Sequence, residues 1–209
     1  MTSTPTAMPI SRKQHRFPWW LAPLLTNPVR RLLDNPETLL EGFLQPGHVV
    51  LELGPANGFY SVPIARALGE NGKLVAIDIE PRLLKMLAKR LKQRGLAHCL
   101  VQRLTENVEL ELADLAGTVD RIVAANVIHE LPKPRETLLA LAATLKDDGQ
   151  FLLVEPPGHV SREQFATELR WLQEAGLRPL APELTPRTRR MCARLEKSTV
   201  PVFHSNGDK

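Results

Sequence analysis

A chain of 209 residues, of which 43% are hydrophobic and 24% charged, has the length and balance of one soluble globular domain with a short extension. Residues 1–16 lack the apolar centre of a signal peptide, and the apolar run at 17–25 is too short to span a bilayer. We therefore expect a cytoplasmic protein with no membrane span. The two cysteines, Cys99 and Cys192, exclude a disulfide framework, and no histidine or cysteine spacing predicts a metal.

The net charge of +4 raises the question of a nucleic-acid partner. Basic residues cluster at 12–16, 30–31, 85–94 and 187–190, and such clusters can follow a phosphate backbone. Because acidic residues are interleaved with them, solvated helix faces and charged loops are the favoured interpretation. Nucleic acid remains the less favoured partner, and we expect a monomer or a homodimer.

The chain divides into three parts by composition. Residues 1–14 are small, polar and without period, which predicts a disordered tail. Residues 15–45 form a helical extension or lid, in which two Asn-Pro pairs, at 27–28 and 35–36, predict helix starts. Residues 46–209 form the main domain.

Strands and helices alternate through the main domain, which predicts a parallel sheet covered on both faces. We expect strands at 49–53, 74–77, 99–102, 120–125 and 151–154, and helices at 59–68, 81–94, 134–145 and 161–176. Residues 106–115 are ambiguous between a short helix and irregular structure.

Residues 49–78 have the pattern of a nucleotide-binding βαβ unit. Glu52 closes the first strand, Gly54 and Gly58 flank a turn, and Asp78 ends the second strand. Glycine lets the backbone approach a ligand closely, and a carboxylate at the second strand end can accept both ribose hydroxyls. A dinucleotide site would open the helix with Gly-x-Gly-x-x-Gly, but here the bulky Phe59 follows the last glycine, which disfavours an NAD-linked oxidoreductase.

The frame Glu52-x-Gly54-x-Ala56-x-Gly58 resembles motif I of class I S-adenosylmethionine-dependent methyltransferases, with Ala56 at the middle glycine. VDRIVAANVIHEL at 119–131 and TLKDDGQFLLVEPPGHVS at 144–161 resemble further segments of the ubiquinone/menaquinone-biosynthesis and arsenite-methyltransferase-like type, and the FPWW, NPVRR and NPE pieces resemble a small prokaryotic group of unassigned substrate. The resemblance implies a Rossmann-like, doubly wound seven-stranded α/β sheet of order 3-2-1-4-5-7-6 with an antiparallel last strand. The final two strands then fall at 178–184 and 189–196.

The resemblance also implies the cofactor, S-adenosyl-L-methionine, and the residues that bind it. These candidates are Glu52, Gly54, Ala56, Gly58, Asp78, Ile79 and Asn126. Asp78 could instead be a helix N-cap, and Asn126 a loop-capping residue. One landmark is missing: the family commonly has an acidic residue after strand three, and its role would fall to Glu106 or to a backbone carbonyl.

Two residues after the fourth strand are the catalytic candidates. His129 could deprotonate an acceptor, because a histidine pKa lies close to neutral pH, and Glu130 could orient it. The alternative, which the sequence alone favours, is a histidine that packs on the next helix and holds the loop. Candidates for the substrate pocket are aromatic or lie near strand ends: Phe17, Trp19, Trp20, Tyr60 and His159.

The expected function is methyl transfer to a small-molecule acceptor, and two alternatives stay open. One is an RNA or protein methyltransferase, although residues 126–129 (NVIH) lack the Pro-Pro-aromatic signature of enzymes that methylate exocyclic base nitrogens. The other is a non-catalytic cofactor-binding protein, which Ala56 and the missing acidic residue favour and the retained Gly54, Gly58 and Asp78 oppose.

Overall fold

The computed structural model describes residues 35–105, 110–180 and 191–198. The predicted tail, most of the predicted extension or lid, Phe17, Trp19, Trp20 and Glu106 lie outside these ranges. No helix within the described ranges is long and apolar enough to cross a membrane.

Seven strands form one sheet, in the order β3-β2-β1-β4-β5-β7-β6. They are β1 (Val49–Leu53), β2 (Lys73–Asp78), β3 (Leu100–Leu104), β4 (Val119–Ala125), β5 (Leu145–Glu155), β6 (Leu177–Pro179) and β7 (Met191–Lys197). Strands β1 to β5 pair in parallel, and β7 lies antiparallel between β5 and β6. The predicted fold class, strand order and antiparallel last strand are confirmed.

Successive side chains of the central strands enter two separate cores, which is why both faces of the sheet are covered. On β1, Val50 packs with one cluster, and Leu51 and Leu53 pack with the other. On β5, Leu152 lies in the first cluster and Phe151 in the second. The near-continuous apolar runs of these strands therefore follow from burial on both sides.

Five α-helices lie in the described ranges: α1 (Pro36–Leu40), α2 (Ser61–Leu68), α3 (Pro81–Lys92), α4 (Pro134–Thr144) and α5 (Arg162–Glu174). Asn35 caps α1 by accepting a hydrogen bond from the Glu37 N–H, so the second predicted Asn-Pro start is confirmed. Ser161 and Gln164 form a reciprocal capping box at the start of α5.

Some predicted boundaries were wrong. Helix α2 begins at Ser61 rather than at 59, because the glycine turn continues to Tyr60. Strand β5 begins at Leu145, directly after α4, rather than at 151. Its first half was not predicted because residues 146–150 (KDDGQ) lack the apolar pattern of a strand. Strand β6 begins at Leu177, and residues 181–190 of the predicted pair of final strands lie outside the described ranges.

Helix α1 is held to the sheet by two arginines. Arg194 of β7 donates hydrogen bonds to the carbonyl oxygens of Leu39 and Glu41, and Arg121 of β4 donates to that of Phe43. The guanidinium groups also lie over the Phe43 ring, 5.7 Å from its centroid for Arg121 and 5.5 Å for Arg194. The end of the predicted extension is thereby fixed against the main domain.

Candidate active site

The carboxyl ends of β1, β2, β4 and β5 lie side by side and bring most of the predicted site residues together. Leu53 is paired with Ile77 on one side and with Ala124 on the other, and Ala125 is paired with Val154. The residues that follow these strands therefore meet at one edge of the sheet, where open α/β folds bind their ligands.

The glycine turn after β1 is left-handed at three alternate positions. The φ angles are 64° at Gly54, 48° at Ala56 and 87° at Gly58. A Cβ atom on Gly54 would lie 2.7 Å from Val127 Cγ2, and one on Gly58 would lie 2.8 Å from Leu87 Cδ1. Both glycines are thus required by contacts within the chain, in addition to the close approach of a ligand that the sequence predicts.

Glu52 is buried under this turn, with 3% of its surface exposed. The Ser61 hydroxyl, at the first residue of α2, donates a 2.6 Å hydrogen bond to its Oε2 atom. Burial raises the pKa of Glu52 to about 8, against the opposing effect of the Ser61 hydrogen bond. Glu52 therefore joins β1 to α2 and is mostly protonated at neutral pH.

Asp78 lies at the end of β2, and the alternative role as a helix N-cap was wrong. The N-cap of α3 is Glu80, whose side chain accepts a hydrogen bond from the Arg82 N–H. Asp78 Oδ1 accepts a 3.0 Å hydrogen bond from the Glu80 N–H. Burial raises the pKa of Asp78, and hydrogen bonds from the backbone N–H groups of Glu80, Ile79 and Ala56 oppose this rise.

Two exposed apolar side chains flank Asp78. Ile79 is 53% exposed, and Leu104, the register partner of Asp78 on β3, is 47% exposed. Apolar side chains of this size at a ligand-binding edge fit the flat faces of an aromatic base. Leu104 was missed from the sequence; its signal is an apolar residue at the last position of a strand whose neighbour ends in an acid.

Asn126 ends β4 in a left-handed conformation, with φ of 57°. Its backbone N–H donates a 2.7 Å hydrogen bond to the Val154 carbonyl oxygen. Asparagine tolerates this conformation better than most residues do, so the residue type suits the sharp exit of the chain from the sheet. Val127, which follows, fills the space that Gly54 leaves open.

The loop after β4 contains a short 3₁₀ turn (Ile128–Glu130) that is bound by one carboxylate, Glu155. Glu155 is fully buried at the end of β5. Its Oε1 atom accepts a 3.0 Å hydrogen bond from the Ile128 N–H, and its Oε2 atom lies 2.5 Å from His129 Nδ1. Glu130, the partner expected from the sequence, has its Oε1 atom 3.9 Å from His129 Nε2, and the close partner is Glu155.

The pKa of His129 reflects this arrangement. Burial alone would lower the pKa, but the hydrogen bond and the charge of Glu155, with smaller contributions from Glu130 and Glu168, raise it above its usual value. Burial also raises the pKa of Glu130. Glu155 was not among the sequence candidates, although a glutamate directly after a buried strand was a signal that could have found it.

Two more ionisable residues surround His129. The His159 ring lies edge-to-face against it, with 5.9 Å between the ring centroids. Glu168, on α5, is 5% exposed, and its Oε2 atom is buried without a hydrogen-bond partner among the described residues. Burial, followed by the charge of Glu155, raises the pKa of Glu168 to about 8.

The structure places Tyr60, a predicted pocket residue, inside the protein. Its side chain is 5% exposed, and its ring packs edge-to-face on Phe59 with 5.5 Å between the ring centroids. Tyr60 belongs to the core cluster on the α2 face of the sheet, so we remove it from the candidate pocket. No group of three or more histidine, cysteine or acidic residues within the described ranges could hold a metal ion.

Comparison with known proteins agrees with this geometry. Residues 51–151 match the family model described as a methyltransferase domain. A ubiquinone biosynthesis O-methyltransferase of Xanthomonas axonopodis pv. citri is 30% identical over 138 residues, which cover 65% of this chain and 54% of that protein. The highly reducing polyketide synthase easB of Emericella nidulans is 34% identical over 122 residues, which cover 54% of this chain and 5% of that protein.

Among solved structures, a SAM dependent methyltransferase from Aquifex aeolicus is similar with a TM-score of 0.72 and 25% identity, over 87% of this chain and 98% of that one. The chain spans about half the length of the ubiquinone relative (54%) and a small part of the polyketide synthase (5%). The fold, the strand-end site and these matches are similar to those of class I S-adenosylmethionine-dependent methyltransferase domains. At the level of this domain, the predicted enzyme class and the predicted cofactor are confirmed.

Proposed function

We propose that this protein transfers the methyl group of S-adenosylmethionine to a small-molecule acceptor whose nucleophilic oxygen or nitrogen carries a proton. The observation that carries the proposal is the His129–Glu155 contact of 2.5 Å, which provides a proton acceptor on the loop after β4. The printed name of the ubiquinone relative, an O-methyltransferase, supports an oxygen nucleophile.

The residues at the strand ends fit the cofactor part by part. The turn from Gly54 to Gly58 would hold the methionine portion, and the buried carboxyl of Glu52 lies below it. Asp78 would accept hydrogen bonds from the ribose hydroxyls. The exposed side chains of Ile79 and Leu104 would contact the adenine ring. Asn126 would lie beside the methyl group, because it follows β4, which is the neighbour of β1 on the side away from β2.

When bound, S-adenosylmethionine supplies a methyl group on a cationic sulfur, and transfer breaks that sulfur–carbon bond, forms the bond from carbon to the acceptor atom and leaves S-adenosylhomocysteine. The chain must align the acceptor and remove its proton. His129 Nε2 takes this proton when Nδ1 is already bonded to Glu155. Glu130 and His159, which both lie close to the ring, would contact the acceptor.

The first test is calorimetric titration with S-adenosylmethionine, S-adenosylhomocysteine and NAD. We expect both sulfur compounds to bind and NAD not to bind. Asp78→Asn removes the negative charge that accepts the ribose hydrogen bonds, and we expect affinity to fall at least about tenfold, or about 1.4 kcal/mol. Glu80→Gln, two residues further along, is the matched control and should bind the cofactor normally.

The second test is a screen for the acceptor by release of S-adenosylhomocysteine. The panel contains phenols, catechols, alcohols, amines and thiols, together with RNA and a protein mixture. We expect turnover with a phenol, alcohol or amine and its loss in His129→Gln. Turnover only with RNA or protein would replace the small-molecule proposal, and tight cofactor binding without any turnover would support the non-catalytic alternative.

A further inference from the structure

Glu155 has the geometry of a residue that acts on another residue. Its side chain is fully buried, so no acceptor can touch it. Each of its two oxygen atoms has one partner on the loop after β4: the Ile128 N–H at 3.0 Å and His129 Nδ1 at 2.5 Å. Because strand β5 is an interior strand that pairs with β4 and β7, its end provides a fixed support for the carboxylate that binds the loop.

We propose that Glu155 is a positioning residue, which keeps the His129 proton on Nδ1 and leaves Nε2 free to take the proton of the acceptor. This inference rests on the proposed function, in which His129 is the base. An ionised carboxylate has no hydrogen to donate, so a neutral His129 can bond to it only through Nδ1–H. The ring orientation and the tautomer are thereby set together.

Glu168 is the second carboxyl group of this cluster. It approaches from helix α5, is nearly fully buried, and has a partnerless Oε2 atom among the described residues. The charge of Glu155 adds to burial in keeping Glu168 protonated near neutral pH. Glu155 therefore supplies the nearest negative charge to the imidazolium that forms when His129 accepts a proton. Glu130, 3.9 Å from Nε2, and His159, with its ring centroid 5.9 Å away, are the other ionisable groups near the ring.

Replacement of Glu155 by glutamine gives a specific prediction because an amide has one acceptor and one donor. The Ile128 N–H is fixed in the backbone and requires an acceptor, so the amide oxygen will face it. The amide NH₂ then faces His129 Nδ1, which must become an acceptor. We expect the proton to move to Nε2, which makes the ring unable to act as a base in its neutral form.

The experiment is nitrogen-15 NMR of the histidine rings over a pH titration, which reports the tautomer and the pKa of each ring. The chain has six histidines, and the His129 signals are assigned by their loss in His129→Gln. In the wild type we expect His129 as the Nδ1–H tautomer with a pKa above that of an ordinary histidine. In Glu155→Gln we expect the Nε2–H tautomer and a lower pKa.

Glu168→Gln is the matched control, since it also replaces a buried carboxyl near His129 but leaves both hydrogen bonds of Glu155 intact. We expect it to keep the Nδ1–H tautomer. An Nε2–H tautomer in the wild type, or an unchanged tautomer in Glu155→Gln, would overturn the proposal. The wild-type spectrum alone decides the matter if Glu155→Gln does not fold.

Cofactor affinity and turnover separate this inference from the proposed function. Glu155→Gln should bind S-adenosylmethionine like the wild type, and with an acceptor found in the screen its kcat should fall at least about 100-fold with little change in KM, as expected when a general base is lost. A switched tautomer together with undiminished turnover in His129→Gln would refute the base while leaving the Glu155–His129 coupling in place. An unswitched tautomer with turnover that depends on His129 would refute only the role of Glu155.

Discussion

The buried carboxyl group of Glu52 provides a quantitative test of the site. Burial raises its pKa from the ordinary value of 4.5 to about 8. A carboxyl group whose pKa is higher in the folded than in the unfolded protein contributes its full stabilisation below the unfolded-state pKa. This contribution is lost as the pH rises through the folded-state pKa of about 8. The two pKa values correspond to a loss on the order of 5 kcal/mol above pH 8, because one pKa unit is about 1.36 kcal/mol.

We expect Glu52→Gln to remove this loss. The amide stays neutral at every pH, and its oxygen can still accept the hydrogen bond of Ser61. Relative to the wild type, the free energy of unfolding of the variant should rise by about 3 kcal/mol between pH 5 and pH 9, somewhat less than the ideal figure because the fold relaxes around a buried charge. Urea denaturation at the two pH values measures the difference.

Glu70→Gln changes an exposed glutamate shortly after α2 and should show no such pH-dependent gain. A gain for Glu52→Gln of the same size at pH 5 and pH 9 would mean that Glu52 does not change its ionisation in this range, and the reasoning from burial would fail. A second readout is proton release on binding. If the cofactor's ammonium group lies near Glu52, binding at pH 7 expels the Glu52 proton, so calorimetric heats should differ between phosphate and Tris buffers in the wild type and agree in the variant.

The glycine turn gives two further predictions. Ala56 has a φ of 48°, so Ala56→Gly should relieve left-handed strain and raise the free energy of unfolding by about 1 kcal/mol in urea denaturation; a lower value would show that the alanine methyl group packs favourably. Gly54→Ala should lower the melting temperature strongly, by an amount equivalent to about 2–3 kcal/mol, because strain adds to the clash with Val127. Gly95→Ala, at a φ of 71° with open space around the Cβ, isolates the strain, and an equal loss in both variants would contradict the clash.

The sequence predicted the features that depend on local pattern. Apolar strands alternate with helices whose starts have recognisable caps, such as Asn35 and Ser161, so the number and order of most elements could be read directly. The start of β5 could not, because the run KDDGQ at 146–150 has no apolar alternation, and the strand is irregular there: Leu145 pairs with Val119 of β4, and regular pairing with β4 and β7 begins at Gln150. The pairing of Leu145 with a distant segment places this stretch in the strand against its local preference.

The site likewise contains residues that the local sequence indicates and residues that only contacts between distant segments bring together. Asp78 was a candidate from the sequence because its spacing from the glycine turn is local, whereas the partner of His129 lies 26 residues away on another strand. The neighbouring Glu130 was the obvious choice in sequence, but adjacent residues on a tight turn point in different directions, and the parallel pairing of β4 with β5 brings Glu155 to the loop instead. Glu168 comes from a third element, and only its burial against this pair marks it.

The structure also changes which residues separate an enzyme from a non-catalytic binding domain. Gly54 is needed for Val127, Gly58 for Leu87, and Glu52 for Ser61, so all three motif positions would be required for folding even if no methyl group were transferred. Their presence is therefore weak evidence of catalysis. Glu155 is different in kind, because a buried carboxylate is costly and a neutral side chain with one acceptor oxygen would be enough to hold the Ile128 N–H. The proposed proton transfer requires a carboxylate beside an ionisable ring, whereas packing alone does not. The tautomer of His129 therefore discriminates between an enzyme and a non-catalytic binding domain more sharply than any change in the glycine motif.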